Sequence, residues 1–151
     1  MKSFPQPDPR TVLAQLKGFQ RDAFEYAFHR LYEAEDSTSR FLVADEVGLG
    51  KTLIAKGIVA KAIDHLWDRV GRIDVIYICS NLAIAKQNVR RLNLSGDPDV
   101  ASADRITMLP AKISELAANK VNFISFTPAT SFDLRSSQGV ARERRLLYCL
   151  Y

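Results

Sequence analysis

A lysine and a threonine, Lys51 and Thr52, follow two glycines, Gly48 and Gly50, at the point where one apolar run ends and another begins. Glycine adopts backbone angles that other residues avoid, so consecutive amide N–H groups can turn toward one centre. A helix that starts there would favour an anion at its N-terminus. The lysine would add a positive charge, and the threonine a hydroxyl ligand for magnesium. These residue types at this spacing predict a loop that binds phosphate groups.

The spacing matches the last part of the phosphate-loop pattern G-x-x-x-x-G-K-[ST]. Asp45 stands where the pattern has its first glycine, and Gly48 supplies a second flexible point inside the loop. The alternative is an ordinary turn between a strand and a helix, but the apolar segments on both sides favour a nucleotide site. Lys51 and Thr52 are its predicted catalytic groups. The predicted binding residues are Asp45, Glu46, Val47, Gly48, Leu49, Gly50, Lys51 and Thr52.

The segments around this loop alternate between strands and helices from residue 40 onward. Short apolar runs predict buried strands at 40–44, 75–79, 105–109 and 121–126. Apolar residues at helical spacing predict helices at 19–33, 51–67, 80–93, 112–120 and 139–151. This order is typical of an α/β domain with a mainly parallel sheet and helices on both faces.

Length and charge bound the organisation of the chain. Its 151 residues suffice for one domain with a buried core. Because three prolines lie near the start, we expect residues 1–15 to form an extended lead-in and residues 16–151 to form the domain. The net charge of +4 permits a nucleic-acid partner without requiring one.

The cysteines and the apolar helix indicate the compartment. Cys79 and Cys149 fit neither a metal-binding nor a disulfide pattern, which favours a reduced environment. The most apolar predicted helix, at 51–67, carries charged residues such as Lys56 and Lys61, which argues against a membrane span. We therefore expect a cytoplasmic protein that has no membrane partner.

The amino-acid sequence of the loop resembles a motif of one protein class. The stretch ADEVGLGKT, residues 44–52, is similar to motif I of superfamily-two helicases, especially the Swi/Snf-type DNA translocases. Proteins of that class commonly have an acidic pair before the glycines, as Asp45 and Glu46 are here. The resemblance implies part of a RecA-like ATP-binding lobe with ATP and Mg²⁺ as ligands. It also implies that the intact enzyme couples ATP hydrolysis to movement on DNA or RNA.

A second stretch, LKGFQRDAF at residues 16–24, resembles the upstream glutamine motif of the same class. Gln20 lies 31 positions before Lys51, which suits that class. The resemblance implies that the Gln20 amide pairs with the adenine edge, since an amide donates and accepts at once. Phe19 or Arg21 would stack on the base. The alternative is a solvent-facing glutamine at the start of a helix.

Two further stretches resemble nucleic-acid-binding motifs. Residues 75–92 are similar to motif Ia, although Ser80 replaces the usual proline. Residues 123–132 resemble a later strand-end motif. Helix capping and an ordinary polar turn are the respective alternatives, because the same residue types favour both. The predicted contacts to DNA or RNA are Ser80, Asn81, Lys86, Arg90, Thr127 and Thr130.

The class has a further requirement that this sequence does not meet. Its motors need a strand ending in an Asp-Glu box, which orients magnesium and activates water. The two adjacent acidic pairs here are Glu35-Asp36, after a predicted helix, and Asp45-Glu46, within the loop. A second lobe with arginine fingers, worth about 10³–10⁵ in rate, is also missing. We therefore expect little or no hydrolysis by this chain alone, and remaining lobes on another chain.

The end of the sequence leads to a related expectation. Residues 142–151, RERRLLYCLY, read as a helix that stops without a cap. We expect a fragment of a longer motor, with apolar faces and a sheet edge exposed. Two other classes remain open, namely a non-catalytic module that binds nucleotide or nucleic acid, and an unrelated P-loop kinase or small NTPase. The long segment before the loop disfavours the kinase.

Overall fold

The computed structural model describes residues 6–46, 48–94, 109–110 and 112–127, together with Ala141, Arg145 and Tyr148. The chain divides into two compact units. Pro5–Val70 contains the glycine-lysine loop and is called the loop unit. Gly71–Tyr151, with Met1–Phe4, contains the strands and is called the sheet unit.

The described part of the loop unit is helical. Its elements are α1 at Pro9–Leu13, α2 at Gly18–Phe28, a π-helical turn at His29–Glu33, and α3 at Lys51–Leu66. The helices predicted at 19–33 and 51–67 are therefore confirmed. The expectation of extended chain over residues 1–15 is wrong for Pro9–Leu13. Asp8 caps that helix by accepting a hydrogen bond from the Arg10 N–H, and proline suits its first position.

The core of the loop unit lies between α2 and α3. Phe24, Phe28 and Ile54 are almost completely buried there, because apolar residues recur on one side of each helix. Gly57 allows close packing, since a Cβ at this position would lie 3.2 Å from the Phe24 ring. The lysine and threonine at the start of α3 are thus carried by a helix that is anchored in a core.

The strand predicted at 40–44 is not present. This segment has no ladder pairing, Leu42 is 83% exposed, and Val43 packs against the helical core. A strand requires a neighbour for its N–H and C=O groups. The described residues of the loop unit contain no strand that could be that neighbour. The apolar character of the run was therefore insufficient evidence.

An ion pair closes the chain after the π-helical turn. Arg30 Nη1 donates to Asp36 Oδ1 at 2.7 Å, and the Thr38 N–H donates to the Arg30 carbonyl at 2.9 Å. The hydrogen bond from Arg30, helped by its charge, holds the pKa of the Asp36 carboxyl below its ordinary value of 3.8. The resulting stabilisation is present above that value and is lost as the pH falls through the lowered pKa.

Asp36→Asn is therefore expected to lower the thermal unfolding midpoint at neutral pH, and the difference from the wild type should shrink as the pH falls through the lowered pKa of Asp36. The effect at neutral pH is small because both side chains are solvent-accessible. Thermal melts of the two proteins across this pH range provide the measurement. A difference of the same size at both ends of the range would contradict the assignment.

The sheet unit contains two parallel strands. β1 at Ile73–Ile78 pairs with β2 at Val121–Phe126, and the register runs from Ile73 opposite Val121 to Ile78 opposite Phe126. Helix α4 spans Leu82–Leu92 and helix α5 spans Ile113–Ala118. The strands predicted at 75–79 and 121–126 and the helices predicted at 80–93 and 112–120 are confirmed. The described structure is thus mixed helix and strand with a small parallel sheet.

Two sequence predictions for this unit, the strand at 105–109 and the helix at 139–151, lie mostly outside the described residues. Most of the strand predicted at 105–109 lies outside the described residues, and Leu109 itself is in a 3₁₀ turn rather than a strand. Ala141, Arg145 and Tyr148 are helical, as predicted for 139–151. The other positions of that segment lie outside the described residues.

The two strands differ in burial. Every residue of β2 is buried, and Leu116 of α5 packs with Ile124 and Phe126. β1 alternates instead, and its outward residues Ile76 and Ile78 are 52% and 65% exposed. The sheet therefore leaves one apolar face of β1 accessible to solvent.

The helices also bear on membrane association. Among the described residues the longest helix is α3, which has 16 residues and several charges. None of the helices in the described ranges has the length and apolar character needed to span a bilayer.

Candidate functional site

The loop before α3 has the backbone geometry that its glycines permit. Gly48 has φ of +92° and Gly50 has φ of +84°, and these are the only positive φ values in the described ranges. Gly50 is also the residue from which α3 starts, in the left-handed conformation. Because side chains are strained in this region of φ, both positions require glycine.

Lys51 closes the loop on itself. Its Nζ donates to the carbonyl of Asp45 at 2.7 Å and to the carbonyl of Glu46 at 2.8 Å. The side chain therefore reaches back from the first residue of α3 to the residues where the loop begins. An ammonium group has three N–H donors, so one donor of Lys51 remains for a ligand. The result is a closed bend with a positive charge at its mouth.

Several backbone donors of this bend remain available. The N–H groups of Gly48, Gly50, Lys51 and Thr52 make no hydrogen bond with any residue that the structure describes. The N–H of Leu49 has only a long contact, 3.5 Å, to the Glu46 carbonyl. Unpaired N–H groups at a helix N-terminus attract anions, since the helix dipole places partial positive charge there. The loop thus combines an array of amide donors with a lysine.

Gln20 connects the loop to α2. Its Nε2 donates to the Leu49 carbonyl at 2.9 Å, and its Oε1 accepts from the Lys17 N–H at 3.0 Å. The side chain is buried, with 4% of the residue exposed. The sequence analysis predicts a role for Gln20 at the site. Its alternative, a solvent-facing glutamine at the start of a helix, is wrong because the side chain is buried. Its contact with Leu49 spans 29 positions, so no local pattern revealed it.

Gly50→Ala is expected to disable this loop. The left-handed conformation costs a non-glycine residue about 1–2 kcal/mol, and the new Cβ would lie 2.5 Å from Gln20 Nε2. We expect the free energy of unfolding to fall by at least that amount. Denaturant unfolding provides the measurement.

Gly18→Ala is the matched control, because a Cβ there meets nothing within 4 Å and its φ is not positive. Gly48→Ala isolates the conformational term, since its φ is positive but the space around it is open. Equal behaviour of the Gly50 and Gly18 variants would contradict the geometry of the loop.

The remaining predicted loop residues are less constrained. Asp45 and Glu46 are exposed, and Leu49 is 40% exposed. Thr52 is half-buried, and its hydroxyl makes no hydrogen bond within the described ranges. Val47 lies outside the described residues. The part of the chain that the structure describes contains no cluster of three His, Cys, Asp or Glu side chains suited to a metal ion.

The predicted nucleic-acid contacts after β1 lie around the start of α4. Asn81 caps this helix, since its Oδ1 accepts from the N–H groups of Ala83 and Ile84 at 2.9 and 3.1 Å. The capping alternative therefore holds for Asn81, while Ser80 is exposed in front of it. The cap uses only the oxygen of the Asn81 amide, so the Nδ2 group is the part of this side chain that could donate to a phosphate.

The solvent side of α4 is basic. Lys86, Arg90 and Arg91 are all exposed, and this helix contains no acidic residue. Neither Arg90 nor Arg91 has a side-chain partner in the part of the chain that the structure describes. Lys86 and Arg90 are four positions apart and share a face. This face is called the α4 basic face.

Of the two contacts predicted after β2, the structure describes only Thr127, and its burial does not support a contact. Thr127 is completely buried, because it continues directly from a strand that is buried on both faces. A hydroxyl in that position is not available to a polymer at the surface. Thr130 lies outside the described residues.

No protein-family model, no curated protein and no solved structure matches this chain.

Proposed function

We propose that this chain binds a magnesium–nucleoside triphosphate, in the first instance ATP, at residues 45–52. One observation carries the proposal: Lys51 closes the loop while four neighbouring amide N–H groups at the start of α3 stay unpaired among the described residues. A triphosphate tail offers several acceptor oxygens to such a set of donors. An ordinary turn would have no need for a charged side chain that spans it.

Each group has a separate task in this proposal. The amides of Gly48, Gly50, Lys51 and Thr52 donate to phosphate oxygens. The third N–H of Lys51 donates to the terminal phosphates, whose charge it offsets. The Thr52 hydroxyl serves as a ligand of Mg²⁺, which commonly takes one or two protein oxygens together with phosphate oxygens and water. When bound, the ion offsets phosphate charge.

The motif resemblance places this site in a superfamily-two, Swi/Snf-like helicase or translocase, and we propose that class for the chain. The parallel pair of β1 and β2 agrees with an α/β lobe. The RecA-like assignment itself remains part of the proposal. DNA or RNA is the proposed polymer partner, and phosphates along its backbone are the proposed contacts of the α4 basic face.

Arg90→Ala is expected to weaken binding to single- or double-stranded DNA and to reduce its dependence on salt. Each phosphate contact adds about 0.7–0.9 to the slope of log K against log salt. Fluorescence anisotropy at several salt concentrations gives this slope. Lys112→Ala is the control, because it removes one positive charge that is paired with Glu115. An unchanged slope in Arg90→Ala would remove this residue from the interface.

We assign binding to this chain and assign hydrolysis to groups on the remaining lobes of the motor. The support comes from the sequence, in which neither β1 nor β2 is followed by an acidic pair. A non-catalytic binding module is the alternative. The two differ in whether addition of the other lobes restores phosphate release.

The proposal is tested by titrating the full chain with a fluorescent ATP analogue, with and without Mg²⁺. Inorganic tripolyphosphate then competes for the site. We expect saturable binding that magnesium strengthens and tripolyphosphate displaces. If no saturation occurs up to millimolar nucleotide, or if tripolyphosphate fails to compete, the phosphate-loop assignment is wrong.

A further inference from the structure

We infer that Gln20 is a positioning residue of the phosphate loop and not a reader of the base, so it contributes equally to binding of ATP, GTP and inorganic tripolyphosphate. This inference rests on the proposed nucleotide site. It reverses the role that the glutamine-motif resemblance implies. Two features support this role: the hydrogen bonds that the Gln20 amide makes to Lys17 and Leu49, and the peptide group between Leu49 and Gly50 that it holds.

The amide of Gln20 is committed on both of its polar atoms. Nε2 donates to the Leu49 carbonyl at 2.9 Å, and Oε1 accepts from the Lys17 N–H at 3.0 Å. Reading an adenine edge needs one donor and one acceptor of the same amide side by side. The amide is also almost inaccessible, since only 4% of Gln20 is exposed. One N–H of Nε2 and one lone pair of Oε1 have no partner among the described residues, so it is the burial of the amide that keeps a base from reaching them.

The bond to Leu49 has a direct consequence for the phosphate donors. The Leu49 carbonyl and the Gly50 N–H belong to one planar trans peptide group, so they point in opposite directions. When Gln20 holds this carbonyl, it directs the Gly50 N–H away from itself. Gly50 N–H is one of the four loop donors that have no partner among the described residues. Gln20 thereby fixes the orientation of a phosphate ligand without touching the phosphate.

The need for such a restraint follows from the neighbouring residues. Leu49 lies between two glycines with positive φ, and glycine permits many other backbone angles. Without a restraint, the peptide group between Leu49 and Gly50 is able to rotate and turn its carbonyl oxygen toward the anion. Gly50 is also the residue that packs against the amide, since a Cβ there would lie 2.5 Å from Nε2.

The test compares Gln20→Met with Gln15→Met. Methionine keeps the length of the side chain at position 20 and removes both hydrogen bonds. Gln15 is exposed, lies in the same unit, and has no side-chain bond within the described residues. Dissociation constants for Mg·ATP, Mg·GTP and tripolyphosphate are measured for both variants and for the wild type, and circular dichroism checks that each is folded.

We expect Gln20→Met to weaken the binding of all three ligands by the same factor, about tenfold. This factor corresponds to the loss of one buried hydrogen bond, the one to the Leu49 carbonyl. Gln15→Met should bind like the wild type. A Gln20→Met protein that loses affinity for ATP while tripolyphosphate binds unchanged would overturn the inference, because that pattern belongs to a base reader.

Hydrogen exchange separates this inference from the proposed function. If the wild type binds none of the three ligands, the proposed function fails, but the restraint is still measurable. The amides of Leu53 and Ile54, which donate to the Gly50 carbonyl at 2.8 and 3.3 Å, should then exchange faster in Gln20→Met than in Gln15→Met, and equal rates overturn the inference. If the methionine variant does not fold, Gln20→Glu replaces it, because glutamate keeps the acceptor for Lys17 but has no donor for Leu49. The same faster exchange is expected.

Discussion

Replacing Lys51 with alanine is expected to lower the affinity for Mg·ATP about 100-fold. Two contributions disappear together. The hydrogen bonds to the Asp45 and Glu46 carbonyls, at 2.7 and 2.8 Å, no longer close the loop. The charged donor for the terminal phosphates is also lost, and hydrogen bonds to charged groups contribute about 1.5–3 kcal/mol each. About 2.7 kcal/mol corresponds to the expected factor. Isothermal titration of both proteins provides the measurement.

Lys56→Ala is the control for this change. Lys56 lies on the same helix, is half-buried, and has no side-chain partner among the described residues. The Lys56→Ala substitution removes one positive charge from α3 but none from the loop. The affinity of this variant for Mg·ATP should therefore stay within about twofold of the wild type. Similar losses in the two variants would show that Lys51 acts only through net charge and not through the geometry of the loop.

Replacing Phe28 with alanine is expected to have the largest effect on stability. Phe28 is 1% exposed and stacks on Tyr32 with ring centroids 4.8 Å apart. Lys61 Nζ lies 4.4 Å from its ring centroid. Truncation of a buried phenylalanine leaves a cavity and costs about 3–5 kcal/mol. Since small domains are stable by about 5–15 kcal/mol, much of the total would be lost.

Chemical denaturation of wild type and Phe28→Ala measures this loss. Tyr26→Ala is the comparison, because Tyr26 belongs to the same helix but is 63% exposed. It should change the free energy of unfolding by less than about 1 kcal/mol. If the two variants unfold at the same denaturant concentration, the core of the loop unit does not lie where α2 and α3 meet.

Helices were the part of this fold that the sequence predicted best. α2, α3 and α4 each repeat apolar residues at helical spacing over ten or more residues, and a pattern of that length and period is specific to a helix. β1 and β2 were also predicted correctly as apolar runs bounded by polar residues. Helix α1 was missed, although Asp8 followed by Pro9 is a helix-start signal. The three prolines of this region favour an extended chain and obscure that signal.

The errors concern features that depend on neighbours in space. A short apolar run such as 40–44 forms a strand only when another strand pairs with it, and periodicity does not supply that information. The burial of Thr127 likewise follows from the full enclosure of β2.

The sequence predicts which residues form the candidate site but not which hydrogen bonds they make with each other. Gly48, Gly50 and Lys51 followed from local spacing, because the positive φ values and the start of α3 are local properties. The partner of Gln20 did not follow, since its bond to the Leu49 carbonyl joins residues distant in sequence. Local patterns therefore predict the chemical groups of the candidate site, while tertiary contacts determine which of them are paired within the protein.

We propose above that a triphosphate is held by the amides at the start of α3 that have no partner among the described residues. The most direct measurement follows the amide resonances of Gly48, Gly50, Lys51 and Thr52 by nuclear magnetic resonance while Mg·ATP is added. We predict that these four resonances shift together and saturate with one dissociation constant, and that tripolyphosphate produces the same shifts. If the four resonances stay in place at millimolar Mg·ATP while the protein remains folded, this loop does not bind a triphosphate.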